Sequence, residues 1–228
     1  MIQATREPRR RAAAAFVAAA LTAAVLVVPP LRAAAADPPQ AAELSAADKA
    51  DIGRIEDYLN RLATLEARFL QISTNGNHAE GAIYLWRPGR MRIEYDPPTP
   101  ILIVADGSSL FYHDKELDQV SEIPIGATPA SVLLDEKIVL LSGEFTIIGF
   151  EPGARVLRLT LVKTEDAGEG SITLIFGDRP LILKKWTITD AQGITTTVSL
   201  LKSRFGIPLK AELFQFEIPE MEGVETEN

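Results

Sequence analysis

Residues able to make or break bonds are scarce in this chain of 228 residues. Histidine occurs twice, at His78 just after the turn-like Asn75-Gly76-Asn77 and at His113 beside Asp114, and cysteine is absent. Two histidines this far apart have neither the helical nor the zinc-type spacing of a metal pair, and a surface imidazole at a strand end is the simpler reading of each. Asp114, Glu116 and Asp118 could flank a glycosidic bond as acid and base. A solvated loop has the same composition, and paired carboxylates mean little without a cleft. Glu165-Asp166-Ala167-Gly168-Glu169-Gly170 resembles a cation loop in composition but lacks the ligand spacing of an EF-hand. There is no Gly-rich phosphate loop and no G-x-S-x-G, and without cysteine there is no thiol nucleophile, thiolate metal site or lipid attachment. These residues point away from an enzyme and from a metal or cofactor.

The polar residue in an unusual place is Arg87. It ends the apolar run Gly81-Ala82-Ile83-Tyr84-Leu85-Trp86, and Pro88-Gly89 then turns the chain into Arg90-Met91-Arg92-Ile93-Glu94-Tyr95, which Pro97-Pro98 stops. This is a β-hairpin, with proline presetting φ and glycine free to take positive φ. In the second strand Met91, Ile93 and Tyr95 share one face and Arg90, Arg92 and Glu94 the other. A cation at the rim of an apolar surface either reaches water or donates its five N–H groups to carbonyls of whatever covers that surface. A two-residue turn pairs Arg87 with Arg90 on the charged face; a three-residue turn points it inward.

The elements around this hairpin follow from spacing. Ser45 is a predicted N-cap, and Ile52, Ile55, Leu59 and Leu62 form one narrow apolar stripe on an amphipathic helix running through Arg61. Strands are predicted at 65–74, 101–104, 110–113 and 119–123. Thr128-Pro129-Ala130-Ser131 opens a short helix carrying Val132, Leu133 and Leu134, while 138–141 is apolar and undecided. Beyond Glu144 the pattern is all β, at 145–150, 156–162, 171–176, 181–189, 194–201 and 211–218, with Trp86 and Trp186 in strands as core or rim residues. Short turns predict an antiparallel meander, and a sheet of about eleven strands must curl or close. The excess of apolar residues fits two packed layers equally as well as a cavity for a hydrophobic guest.

Composition sets the surroundings. With 46% hydrophobic and 24% charged residues, the chain is long enough to bury a sizeable core. Residues 1–36 stand apart: Arg6, Arg9, Arg10 and Arg11 precede an apolar run from Ala12 to Val28, and Ala33-Ala34-Ala35-Ala36 offers a cleavage site before Asp37. That is the pattern of a secretory signal peptide, followed by a Pro- and Ala-rich linker at 37–43 and a single domain over 44–228. Loss of residues 1–36 removes five arginines and one glutamate from 23 basic and 31 acidic residues, leaving 18 and 30 and a net charge of −12. Such an acidic surface disfavours nucleic acid and anionic headgroups.

Taken in order, Ala67-Arg68-Phe69-Leu70-Gln71, the Arg87-Pro88-Gly89-Arg90-Met91 turn, Val104-Ala105-Asp106-Gly107-Ser108-Ser109-Leu110-Phe111-Tyr112, Thr128-Pro129-Ala130 with Leu133-Leu134, and the ending Phe214-Gln215-Phe216-Glu217-Ile218-Pro219 carry a resemblance. From about Ile52 to Val224 the chain resembles the outer-membrane lipoprotein carrier proteins, LolA, periplasmic chaperones of Gram-negative bacteria. The resemblance implies a mostly β fold with a helical lid: an incomplete antiparallel β-barrel, a curved sheet enclosing an apolar cavity. It also implies a monomer without cofactor that takes acylated lipoproteins from an inner-membrane lipoprotein-releasing ABC transporter, with an outer-membrane acceptor left open. By resemblance Arg87 is the latch that bonds the lid and favours the closed, empty state. Leu85, Trp86, Met91, Ile93 and Tyr95 are expected to line the acyl-chain cavity, and Ile52, Ile55, Leu59 and Leu62 to be the lid's cavity face. Met91 fills a position often aromatic in the family. The physics agrees, since an acyl chain of ~15 methylenes costs ~12 kcal/mol to bare to water. A lipid-binding or lipoprotein-sensing module on the same fold is the nearer alternative, and a hydrolase the more distant one.

Overall fold

The computed structural model describes residues 40–127, 129–141 and 143–217. The expected signal peptide, linker residues 37–39, the N-cap at Thr128 and the chain beyond Glu217, including Ile218-Pro219, lie outside the described residues.

Helix α1 (Ala46–Arg61) starts at Ser45, whose hydroxyl accepts from the Asp48 amide at 3.1 Å while the Asp48 carboxylate accepts from the Ser45 amide at 2.9 Å. This capping box satisfies two donors that the first turn would otherwise leave bare. Eleven strands follow: β1 (Thr64–Ser73), β2 (His78–Trp86), β3 (Arg90–Tyr95), β4 (Ile101–Asp106), β5 (Ser109–Asp114), β6 (Gln119–Pro124), β7 (Phe145–Pro152), β8 (Val156–Lys163), β9 (Gly170–Gly177), β10 (Ile182–Asp190) and β11 (Thr195–Phe205). They form one antiparallel sheet in the order β6-β5-β4-β3-β2-β1-β11-β10-β9-β8-β7. The first and last strands meet in the middle, and β6 and β7 are left as open edges, so the sheet curves without closing. Bulges between Glu66 and Arg68, Leu183 and Lys185, and Ile147 and Gly149 sharpen the curl.

The concave face is filled from two sources. One is α1, whose Ile52, Ile55 and Leu59 are almost wholly buried; the other is the segment between the two edge strands, which contributes Val132, Leu133, Leu134, Ile138 and Leu140. Both pack on alternate residues of the sheet, among them Leu65, Phe69, Ile83, Leu159, Leu174, Phe176 and Trp186. Each fully buried large aliphatic side chain contributes roughly 1.5–3 kcal/mol, so α1 is held by burial far more than by its intrinsic propensity.

The structure departs from the sequence pattern at two places. Of the strand expected at 211–218, the described residues 211–217 form none: Ala211–Phe214 is a 3₁₀ turn. That segment lies on the convex face, where the Arg92 guanidinium donates to Leu213 O at 3.4 Å, Phe214 meets Trp86 edge-on at 5.9 Å and Phe216 stacks on Phe111 at 4.8 Å. The interior strands already have both neighbours, while the convex residues Leu102, Val104 and Phe111 need cover. The apolar alternation therefore packs on the sheet rather than pairing with it. Within the expected linker, the Ala42 amide donates to Ile147 O at 2.8 Å on edge strand β7, and Ala42 and Leu44 pack on the core. This cover blunts an otherwise open edge.

Candidate functional site

Arg87 sits where three elements meet. Trp86 pairs with Arg90, so the β2–β3 loop is the three residues Arg87, Pro88 and Gly89, and Gly89 takes φ +74°. The odd loop length turns Arg87 to the concave side, away from Arg90, Arg92 and Glu94. Its exposure falls to 8%, which excludes an exposed turn arginine. The guanidinium donates to Leu59 O in the last turn of α1 and, through Nε at 3.1 Å and through Nη2, to Asp135 O. The same turn is tied on by its backbone, Arg87 N to Ala63 O at 2.9 Å and Gly89 N to Leu134 O at 2.8 Å. A cation aimed at the C-terminal carbonyls of a helix also complements the helix dipole. Burial lowers the guanidinium pKa, and the nearby Asp135 carboxylate opposes that shift.

The helix and the segment after β6 act as one cover because α1 grips the segment. Asn60 Nδ2 donates to Ile138 O at 2.8 Å and its Oδ1 accepts from Ile138 N at 2.9 Å, while Glu56 accepts from Leu140 N at 2.7 Å. Glu56 and Asn60 are four residues apart and share one side of the helix. Sequence reasoning missed both. Their one visible signal was the apolar residues at 132–134 and 138–141, which no strand partner claims and some helix face must hold. Asn60→Ala removes both bonds to Ile138 and is expected to cost about 2 kcal/mol. The check is a lowered urea midpoint with an unchanged m-value, together with faster amide exchange at Ile138.

Asp135 adds a pH dependence to this cover. Its carboxyl is pushed up to about 6, chiefly by burial and then by the charge of Glu144, with Arg87 and Lys163 opposing. A free aspartate titrates near 3.9, so between about pH 4 and 6 the folded state holds this proton more tightly than the unfolded chain. The resulting stabilisation is fully present below about pH 4 and is lost as pH rises through about 6. Asp135→Asn is therefore expected to raise stability at pH 7.5 by about 1–2 kcal/mol after allowance for solvent screening, and to change nothing at pH 4. Urea melts at the two pH values give the comparison.

Ile52, Ile55, Leu59 and Leu62, expected as the cavity face of a lid, all face the core. Leu85 is buried, and Met91, Ile93 and Tyr95 lie half-buried on the same concave face, because Leu85 pairs with Met91, Ile83 with Ile93 and Gly81 with Tyr95. Trp86 is a correction. It stands on the convex face beside Arg90, whose guanidinium lies 5.2 Å from its ring, and is covered by Phe214. Strand parity gives it the face opposite Leu85. Trp186 instead points into the concave core. The concavity is mostly occupied by side chains, leaving a space of about 310 Å³ near Leu62, Ile182 and Phe205 and another of about 390 Å³ near Gln71, Tyr95 and Tyr112.

The other chemical candidates are dispersed. His113 faces the convex side under Phe216, with Nε2 3.6 Å from Asp118, and His78 is exposed at the start of β2. Asp114 Oδ1 accepts from the amides of Glu116 and Leu117 at 3.0 and 3.1 Å, as in a side-chain-capped turn. Among the described residues no three His, Asp or Glu side chains cluster as metal ligands.

The family profile and the similar curated proteins give one group. The sequence profile described as outer membrane lipoprotein carrier protein LolA matches residues 60–217. An outer-membrane lipoprotein carrier protein of Methylococcus capsulatus is 30% identical over 187 residues, spanning 77% of this chain and 87% of its own. One of Legionella pneumophila is 33% identical over 178 residues, spanning 73% and 85%. Among solved structures, a LolA superfamily protein of Nitrosomonas europaea is similar with a TM-score of 0.41 at 6% identity, over 72% of this chain and 97% of that one.

Proposed function

Because the chain belongs to the outer-membrane lipoprotein carrier family, LolA, we propose that it is a periplasmic, non-enzymatic chaperone that shelters the acyl chains of lipoproteins against its concave sheet. The single observation that carries the reading is the cover held shut by Arg87 over an apolar concave surface. Acyl chains seek a dry surface, and this sheet has one, but α1 and the 132–140 segment compete for it. Loading displaces the cover and breaks the bonds of Arg87; delivery lets them re-form. The carrier thus holds its cargo less tightly than the area of apolar contact alone would give, which suits a protein that must pass it on.

The partners of this reading are acylated lipoproteins, an inner-membrane lipoprotein-releasing ABC transporter as donor and an outer-membrane acceptor as recipient. The reading is tested by incubating residues 37–228 with spheroplasts. An acylated lipoprotein leaving the membrane as a soluble one-to-one complex is the expected result. No release, with a hydrophobic dye still bound, would make a lipid-binding or lipoprotein-sensing module the better account.

A further inference from the structure

The end of the concave face away from Arg87 differs in kind from the rest. From Gly81 to Arg87, β2 and its turn cover about 20 Å, and beyond Gly81 the concave surface changes from apolar to mixed. Here Gln71 at the end of β1, Tyr95 at the end of β3 and Tyr112 on β5 face a groove of about 390 Å³, with Asn77, His78, Thr99 and Ile101 at its rim. The Tyr95 ring is anchored edge-on against Phe69 at 5.2 Å, and its hydroxyl donates to Gln71 Oε1 at 2.8 Å. Burial pushes the Tyr95 hydroxyl up to about 12, so it remains a neutral donor. With its oxygen thus engaged, the Gln71 amide nitrogen keeps its two N–H groups free of protein acceptors among the described residues, and they face the groove rather than a buried void. No lysine or arginine lines the groove, and Arg68 nearby is paired with Asp96.

These are neutral donors at the end of an apolar track. A phosphate or carboxylate would be desolvated here with no lysine or arginine to meet it, the exposed His78 imidazole at the rim being the single basic group of the lining. A neutral carbonyl is satisfied in full, because it accepts and has nothing to donate. Resting on the carrier reading above, we propose that this groove binds the ester and amide carbonyls of the diacylglyceryl-cysteine group of a lipoprotein, with Gln71 Nε2 as principal donor and Tyr95 holding Gln71 in place. The acyl chains then run from Tyr95 along Ile93 and Met91 towards α1, and the polypeptide of the cargo leaves at this end rather than beside Arg87.

The test compares the secreted chain with Gln71→Glu, which keeps the shape but replaces donors with acceptors, and with Tyr95→Phe, which removes one oxygen. Three probes are titrated: a synthetic diacylglyceryl-cysteinyl peptide, a phosphatidylglycerol with the same acyl chains, and the apolar dye N-phenylnaphthylamine, which has no carbonyl. The wild type is expected to prefer the lipopeptide to the phospholipid. Gln71→Glu is expected to weaken lipopeptide binding about tenfold relative to the dye, and Tyr95→Phe about threefold. Lipopeptide and dye falling together would make the pair merely structural, and lipopeptide binding unchanged in Gln71→Glu would remove the site; either overturns the proposal. Equal binding of the phospholipid would overturn the lipoprotein assignment. A wild type that binds dye but no lipopeptide would defeat the carrier reading itself, and this proposal with it.

Discussion

Arg87→Leu is expected to accept cargo and then fail to hand it on. The guanidinium is the shared tie between the last turn of α1 and Asp135, and leucine leaves Leu59 O and Asp135 O without these donors. Hydrogen bonds from a charged donor contribute roughly 1.5–3 kcal/mol each, offset here by relief of the desolvated cation, for a net loss of about 2–3 kcal/mol. That moves the closed-to-open ratio of the cover roughly 30- to 150-fold towards open. An open cover no longer competes with the acyl chains, so loading survives while release slows by a similar factor. Arg87→Lys should fall between, because an ammonium cannot hold both carbonyls as a planar fork does. The measurement is transfer from preloaded carrier to an outer-membrane fraction, and delivery by Arg87→Leu at the wild-type rate would remove the latch role. The removal of Asn60 should act in the same direction more weakly, since it loosens the segment but leaves the helix tied.

Gly81→Val is expected to be severely damaging to the sheet, lowering stability by about 3 kcal/mol and the melting temperature by roughly 6–12 °C. The reason is space. A Cβ at this position would stand 2.2 Å from Glu94 O and 2.6 Å from the Phe69 ring. Phe69 packs against the glycine and its edge contact holds Tyr95, so the strain reaches the groove at Gln71 as well. Phe69→Leu in the same chain should recover part of the loss by withdrawing the ring, and only part, because the Glu94 carbonyl is backbone and cannot move aside. Full recovery in a thermal melt would show that the ring alone was in the way.

How much of this was legible beforehand can be judged residue by residue. The capping box at Ser45 and Asp48, the stripe Ile52-Ile55-Leu59 and the alternation in β2 and β3 are visible in the sequence, since each is a pattern within a few neighbouring residues. The resemblance carried the expectation for Arg87, and burial at the meeting of helix, turn and segment is what the structure adds to it. Trp86 was misplaced because β2 is apolar on both faces, so alternation alone could not say which side was the concave one. Residues 211–218 alternate like a strand, yet a strand needs a free edge, and which edges are free depends on how eleven strands are ordered. Asn60 and Glu56 looked like ordinary polar positions on a helix.

Which residues alternate, where α1 begins, which turns reverse the chain, and the acidic, cysteine-free character that excludes thiol and thiolate-metal chemistry are all written in the order of residues. Those properties follow from backbone sterics, periodicity and composition, which act over a turn or a strand. The packed fold alone sets that the β2–β3 loop holds three residues, that Arg87 therefore faces inward, that 132–140 joins α1 as a cover and that 211–217 straps the convex face. The physical reason is parity and distance. One residue more or less in a loop exchanges the two faces of a strand, and a buried carbonyl selects its donor from whatever the fold brings near, here Leu59 O and Arg87, 28 residues apart.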